Sequence, residues 1–297
     1  MKLIESKAEY LPQAIVPSAS PEGILEGIYK QIELAGRTCY KSLDKVTDSS
    51  AKPFVDRMIS SKHTAMLEHG TVYLKTYRNF EFEHNIELTE YSNSLEKYSI
   101  NNYSKYTEDS NYAYVVTNYR VLVENNWLDD LQYLCNPTEH HEKRYTFKLT
   151  TSIGVTRELN RHRVNSIAEQ STRYCNYSKD KFNNEVTFCK PVWAPDYDET
   201  DWDRFLKALW DAENAYLGLI NQGWQPQQAR EILPLCTASE IVHTAFASDW
   251  RFFFDLRLFG KTGAPHPNML HLAKLMKAEA EKQGIWEDIM KYPSKFE

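Results

Sequence analysis

No stretch of this chain is apolar over the ~20 residues that a membrane-crossing helix requires. The segment from Met1 to Tyr10 carries Lys2, Glu5, Lys7 and Glu9, so it lacks the apolar centre of a signal peptide. Together these absences predict a cytoplasmic protein with no membrane partner. Gly-x-Gly-x-x-Gly and Gly-x-x-x-x-Gly-Lys-Ser/Thr are both missing, so neither the Rossmann turn nor the P-loop is signalled as a route to phosphate. His-Glu-x-x-His is absent, and His140-His141 has no convincing metal-ligating partners nearby, so no metal site is expected. No Gly-x-Ser-x-Gly elbow marks a serine hydrolase. Cys39, Cys135, Cys175, Cys189 and Cys236 form an odd, scattered set without a Cys-x-x-Cys pair. That pattern argues against a disulfide framework and fits reduced thiols. A basic balance is also lacking. The formal net charge is −6, which counts against a general nucleic-acid binder.

What remains is an ordinary globular composition, 42% hydrophobic and 26% charged, with enough chain for a sizeable core. Aromatics reach 13%, with 19 tyrosines, which suits stacking but more commonly reflects cores and interfaces. Ser20-Pro21-Glu22 reads as the start of a helix whose Ile24, Ile28 and Ile32 recur at helical spacing and which ends near Gly36. A second helix is predicted from Lys52 to Ser61 and a short strand from Val72 to Thr76. Residues 78–112 are polar and weakly periodic, and read as a long surface excursion. Residues 112–125 regain the apolar character of a strand or helix. Tyr145, Phe147 and Leu149 alternate with polar residues as in a strand, and Ser152 caps a helix running through Leu159. Further helices are expected over Asp201–Asn221, from Pro226 to before Pro234, over Asp249–Phe259 with Ser248 as cap, and from Pro267 onward. In the last of these, Met269, Leu272, Ala273, Met276 and Ala280 form one stripe. No internal repeat and no dividing linker is evident.

The densest chemistry lies from Arg161 to Tyr174, where Arg161, His162, Arg163 and Arg173 gather with Glu169 and Ser171. Arginine keeps its charge and presents a two-pronged donor to phosphate or to a carbonyl–imide edge. Two readings of the residues stand side by side. In one, Arg161, Arg163 and Arg173 clamp an anionic ligand. In the other, Ser166-Ile167-Ala168-Glu169 is a capping box and the arginines pair with surface acids.

Arg161-His162-Arg163, followed after seven residues by Ser171 and then by Arg173-Tyr174, resembles the signature of the flavin-dependent thymidylate synthases. Other elements recur in order: Arg37-Thr38-Cys39-Tyr40, His63 through Glu68-His69, Ala229-Arg230-Glu231-Ile232-Leu233-Pro234, and Trp250-Arg251-Phe252-Phe253 with Leu256-Arg257. They run from about residue 35 to 275, leaving out 78–143. The resemblance implies an α/β (α+β) fold with a mixed, largely antiparallel central sheet flanked by helices. It further implies one domain over 1–297, with an extended insertion at about 78–143, and a homotetramer with shared active sites. Its implied ligands are FAD, dUMP, methylenetetrahydrofolate and NADPH, and its implied reaction is reductive methylation of dUMP to dTMP.

By position, the resemblance makes Arg257 the residue on the uracil edge, with Ser171 and Arg173 beside it in the catalytic set. It assigns Glu158, Arg161, Glu169, Gln170, Ser171, Thr172, Arg173, Arg230 and Arg257 to the nucleotide. His63, Ala65, Arg161, His162, Arg163, Val164, Glu169, Phe246 and Phe252 fall at flavin-side positions. Several of these depart from the family pattern: Ala65 replaces a hydroxyl residue, and Phe246 and Phe252 stand where asparagine or histidine is frequent. Ala168 and Asn268 replace a common asparagine and a usual glutamate. These departures motivate an alternative, a related flavin enzyme modifying another pyrimidine nucleotide. A nucleic-acid-binding protein is the reading from another class, and the net charge opposes it.

Overall fold

The computed structural model describes residues 1–14, 20–77, 95–196 and 198–296. In chain order they form β1 (Lys2–Ile4), β2 (Lys7–Tyr10), α1 (Pro21–Cys39), α2 (Ala51–Ser60), β3 (Thr71–Tyr77), β4 (Lys105–Glu108), β5 (Tyr112–Asn118) and α3 (Tyr119–Glu124). There follow β6 (Arg144–Ser152), α4 (Ile153–Leu159), β7 (Ser166–Glu169), β8 (Thr187–Cys189), α5 (Glu199–Asn221), α6 (Pro226–Ala229), β9 (Ala238–Phe246), α7 (Ala247–Arg257), α8 (Pro267–Lys282) and α9 (Trp286–Met290). A four-stranded sheet in the order β2-β6-β9-β7 is antiparallel throughout. A second antiparallel sheet runs β3-β5-β4, and β1 pairs in parallel with β8. The expected mixed fold, largely antiparallel and flanked by helices, is what the chain adopts. Among the described residues no helix is long and apolar enough to cross a membrane.

Strand alternation explains how the central sheet is covered. Tyr145, Phe147 and Leu149 of β6 pack on one face with Trp250 and Phe253 of α7 and Leu272 and Met276 of α8. The stripe foreseen on α8 is buried in full. Residues of the opposite parity point the other way. There the hydroxyls of Thr146 and Thr244 bond at 2.8 Å, and His69 Nδ1 meets Thr244 Oγ1 at 2.9 Å. Strand β9 carries no sequence signal of its kind, because both of its faces are covered almost end to end. A doubly buried strand shows no alternation to read.

Three expectations need correction. Helix α1, capped by the Ser20 hydroxyl on Gly23 N–H, runs through Gly36 to Cys39. Gly36 serves packing instead of termination, since a Cβ there would lie 2.4 Å from Phe54 Cζ of α2. Helix α7 begins at Ala247, so Ser248 is not its cap; the Ser248 backbone N–H donates to Glu142 Oε1 at 2.8 Å. Ser166–Glu169 is not a capping box but strand β7, hydrogen-bonded to β9. Residues 95–112 are exposed or half-buried except Leu95, Tyr98 and Ser104, as a surface excursion requires, and they are anchored where the Tyr98 hydroxyl donates to Asp130 Oδ2 at 2.8 Å and β4 pairs with β5. Residues 78–94 of that stretch lie outside the described residues. The segment read as strand or helix contains both, with Asn118 ending β5 and capping α3.

Candidate active site

The sheet sets up the site by bringing α4, β7 and the end of α7 together. Helix α4 leaves β6 directly, and the loop 160–165 returns the chain to β7 on the far side of β9. Glu169, the last residue of β7, ties these elements. Its Oε1 accepts from Thr156 of α4 at 2.7 Å and from Ser239 of β9 at 3.0 Å, and Asn160 Nδ2 reaches Oε2 at 3.5 Å. With both oxygens engaged, Glu169 is a fixed anionic post between strand and helix. Thr156, Asn160 and Ser239 were not singled out in the sequence. Only the pairing of β7 with β9 places Ser239 near Glu169.

Arg257 ends α7 and is held from two sides. Its Nη1 donates to Glu158 Oε2 at 2.8 Å, its Nη2 to Glu158 O at 3.4 Å, and its Nε to His162 Nε2 at 3.1 Å. That last bond requires an unprotonated Nε2. Burial first, and the Arg257 charge second, push the His162 pKa down to about 4, so the ring is neutral at physiological pH. His162 is wedged against Phe252 and Phe253, both edge-on, and Phe252 stacks on Phe296. The guanidinium carries five N–H groups. Among the described residues these bonds leave one N–H on each terminal nitrogen for a ligand.

The remaining cations divide sharply. Arg161 and Arg163 are exposed, and among the described residues neither side chain has an acidic partner. The alternative in which these arginines pair with surface acids is therefore not what the fold shows. Val164 beside them is exposed as well. Among the described residues Arg173 reaches only Gln227 Oε1, at 3.4 Å, and lies over the Tyr174 ring. Arg230 donates to Thr172 Oγ1 at 2.9 Å and approaches Glu231 at 3.5 Å. Ser171 is seated by its own backbone N–H on Cys39 O, at 3.0 Å, so the end of α1 positions the Ser171–Arg173 turn. Gln170 is buried and lines a separate depression of about 280 Å3 with Lys2, Lys7 and Lys41.

The flavin-side positions are more scattered. His63 and Ala65 are exposed around the start of the turn Thr64–His69. Phe246 is buried against Tyr73 and Val116, with the Arg144 guanidinium over its ring. It precedes α7 while Arg257 ends it, so about 16 Å of helix separates them. Phe252 alone of the two phenylalanines touches the Arg257 cluster, through His162. Beneath the site lies a polar layer that the sequence did not announce. Arg144 donates to Glu68 O, Thr71 Oγ1 and Ser166 Oγ, and Asn165 Nδ2 meets His243 Nε2 at 2.8 Å. Burial lowers the Arg144 pKa to about 10 and that of His69 to about 3, and holds His243 well below its usual value.

A family model described as thymidylate synthase complementing protein matches residues 125–283, which contain α4, β7, the Ser171–Arg173 turn, Arg230 and Arg257. His63, Ala65 and Arg37–Tyr40 fall before the matched range. A flavin-dependent thymidylate synthase of Pyrococcus furiosus is 33% identical over 115 residues, covering 38% of this chain and 46% of that protein. One of Geobacter sulfurreducens is 27% identical over 132 residues, covering 44% and 55%. The chain thus aligns with about half the length of these curated relatives. Among solved structures, a UMP/dUMP methylase of Streptomyces cacaoi bound with 5-Br dUMP is similar over 98% of both chains, at 16% identity and a TM-score of 0.44.

Proposed function

The chain belongs to the thymidylate synthase complementing protein family, and from that premise we propose that it is a flavin-dependent thymidylate synthase, converting dUMP to dTMP. The observation that carries this reading is Arg257, fixed by Glu158 and His162 with an N–H on each terminal nitrogen left over. Those charged donors suit the imide side of a uracil ring. There it would stabilise negative charge as N3 loses its proton, which raises electron density at C5. Ser171, Thr172, Arg173 and Arg230 form a polar and cationic turn suited to the nucleotide phosphate. Glu169 and Arg161 border both ligands, and Gln170 supports the turn from beneath.

The donor set fits FAD. Arg161 and Arg163 are cations without an acid partner among the described residues, as a pyrophosphate requires, and Val164 and Phe252 offer apolar contact. When bound, FAD supplies reducing equivalents for delivering the carbon of methylenetetrahydrofolate as a methyl group, with NADPH as the source of electrons. His162 acts by holding Arg257, and Phe246 by packing the base of α7. His63 and Ala65, exposed on this chain, would face the flavin of a neighbouring subunit in a homotetramer with shared sites. The setting is cytoplasmic, and neither nucleic acid nor membrane is a partner.

Tritium release from C5-labelled dUMP, in the presence of FAD, methylenetetrahydrofolate and NADPH, tests the reading. Release with formation of dTMP is the expected result. No release from FAD-saturated protein would overturn it, and a product mass gained on dCMP but not on dUMP would assign the fold to a different pyrimidine.

A further inference from the structure

Beside the Arg257 cluster lies a cavity of about 310 Å3 that shares only Glu158 with the nucleotide-binding residues proposed above. It is bounded by α4, the end of β8, the turn at Pro191–Trp193, Phe205 of α5, Leu235 and the start of α8. Its walls are braced by the chain itself. Gly154 N–H donates to Leu235 O at 2.9 Å, and Val192 N–H to Asn268 Oδ1 at 2.9 Å. Trp193 meets the His266 ring edge-on at 5.6 Å.

The lining is mainly apolar, with Val155, Trp193, Phe205 and Leu235 as its larger surfaces. Cys189 and Cys236 also face it, but burial pushes the Cys189 thiol up to about 12 and raises that of Cys236. Both are neutral thiols at physiological pH, and supply surface rather than a nucleophile. Among the described residues Glu158 is the only carboxylate in the lining. Its Oε2 is taken by Arg257, and among the described residues no hydrogen bond occupies Oε1. An aromatic, apolar slot with one half-satisfied carboxylate discriminates by chemistry. It repels anions, gives little to a purely apolar ring, and favours a flat ring whose edge donates N–H groups or carries positive charge. The volume is at the small end of ligand sites, about 300 Å3, so the occupant is a single or fused ring.

We propose that this cavity binds a planar nitrogen heterocycle of the 2-aminopyrimidine class, its amidine-like N–H edge on Glu158 and its faces against Trp193 and Phe205. Glu158 also orients Arg257, so an occupant of the cavity and a ligand on Arg257 are coupled, each altering the affinity of the other by the same factor. That coupling rests on the nucleotide reading of Arg257; the site itself does not.

Calorimetric titration of the full chain with 2,4-diaminopyrimidine, in the absence of nucleotide, folate and flavin, tests the site. Saturable binding with a Kd of about 1 mM is expected for so small a probe. Glu158→Gln should weaken it about tenfold, the scale of one charge-assisted hydrogen bond. Gly154→Leu should abolish it. A Cβ at Gly154 meets only ordinary contacts, with Leu235 at 3.6 Å, so the larger side chain fills the cavity without breaking α4. Circular dichroism with an unchanged melting temperature identifies the variants that fold. No saturable binding to the wild-type chain, or equal binding to wild type and both folded variants, would overturn the proposal. Because the assay contains no nucleotide, its failure leaves the thymidylate synthase reading intact, and loss of tritium release leaves this one intact.

Discussion

Two arginines at opposite ends of α7 have opposite fates. Arg144 lies in register with Phe246, at the helix start, and spends its terminal nitrogens on Glu68 O, Thr71 Oγ1 and Ser166 Oγ. Arg257, at the helix end, is gripped by Glu158 and His162 through one bond from each of its three nitrogens. Nothing in residue type separates them. Each guanidinium meets three acceptors, and the difference is how its terminal nitrogens are used: Arg144 makes two bonds from each and cross-braces β6, β7 and the Thr64–His69 turn, while Arg257 makes one from each and is an oriented but unfinished donor. A cation that the protein fixes without satisfying is one that a ligand can complete.

The sharpest break in that comparison is Arg257→Ala. Turnover in the tritium assay should fall by about 10²- to 10³-fold, the usual loss for one charge-stabilising donor, with the melting temperature nearly unchanged. Full activity in a folded variant would remove Arg257 from the mechanism. Arg144→Met should do the reverse. It strands Ser166 Oγ and Glu68 O, and urea unfolding should show a loss of about 2–4 kcal/mol, while dUMP affinity per folded molecule is kept.

Acid should expose the polar layer between the two arginines. His162, His69 and His243 all have folded pKa values below the unfolded one, chiefly through burial. Their neutral forms therefore stabilise the native state fully above pH ~6.5, and that contribution is lost as pH falls toward the folded values. For His162 the window runs from about 6.5 down to about 4 and is worth on the order of 3 kcal/mol at its foot. Urea midpoints across this range should fall with pH, and His162→Asn should flatten the slope; a midpoint constant from pH 7 to 4.5 would contradict the burial argument. The smallest effect is expected at Gly36→Ala, about 1–2 kcal/mol from the clash with Phe54. Phe54→Leu in the same chain should recover part of it, whereas equal loss in the double variant would point to helix geometry instead.

Much of this architecture was legible from pattern. The periodic apolar residues of α1, α5 and α8 and the alternation in β6 sit where spacing put them. Strand β9 was not legible, because burial on both faces erases alternation, and Gly36 misled because a glycine needed for close packing looks like one needed for termination. At the site, the arginine cluster was visible as charge, but Thr156, Asn160 and Ser239, which fix Glu169, were not, since each is polar in a way common to many surfaces.

The sequence by itself determined that Arg161, Arg163, Arg173, Arg230 and Arg257 exist in a spacing that resembles one enzyme family. Only the tertiary structure decided which cations are spent. Arg257 meets His162 and Glu158 across 95 and 99 residues of chain, and β7 meets β9 across a comparable span. Hydrogen-bond partners at such separations follow from how strands pair and helices pack. A guanidinium reads the same in sequence whether the fold surrounds it with acceptors or leaves an edge of it open.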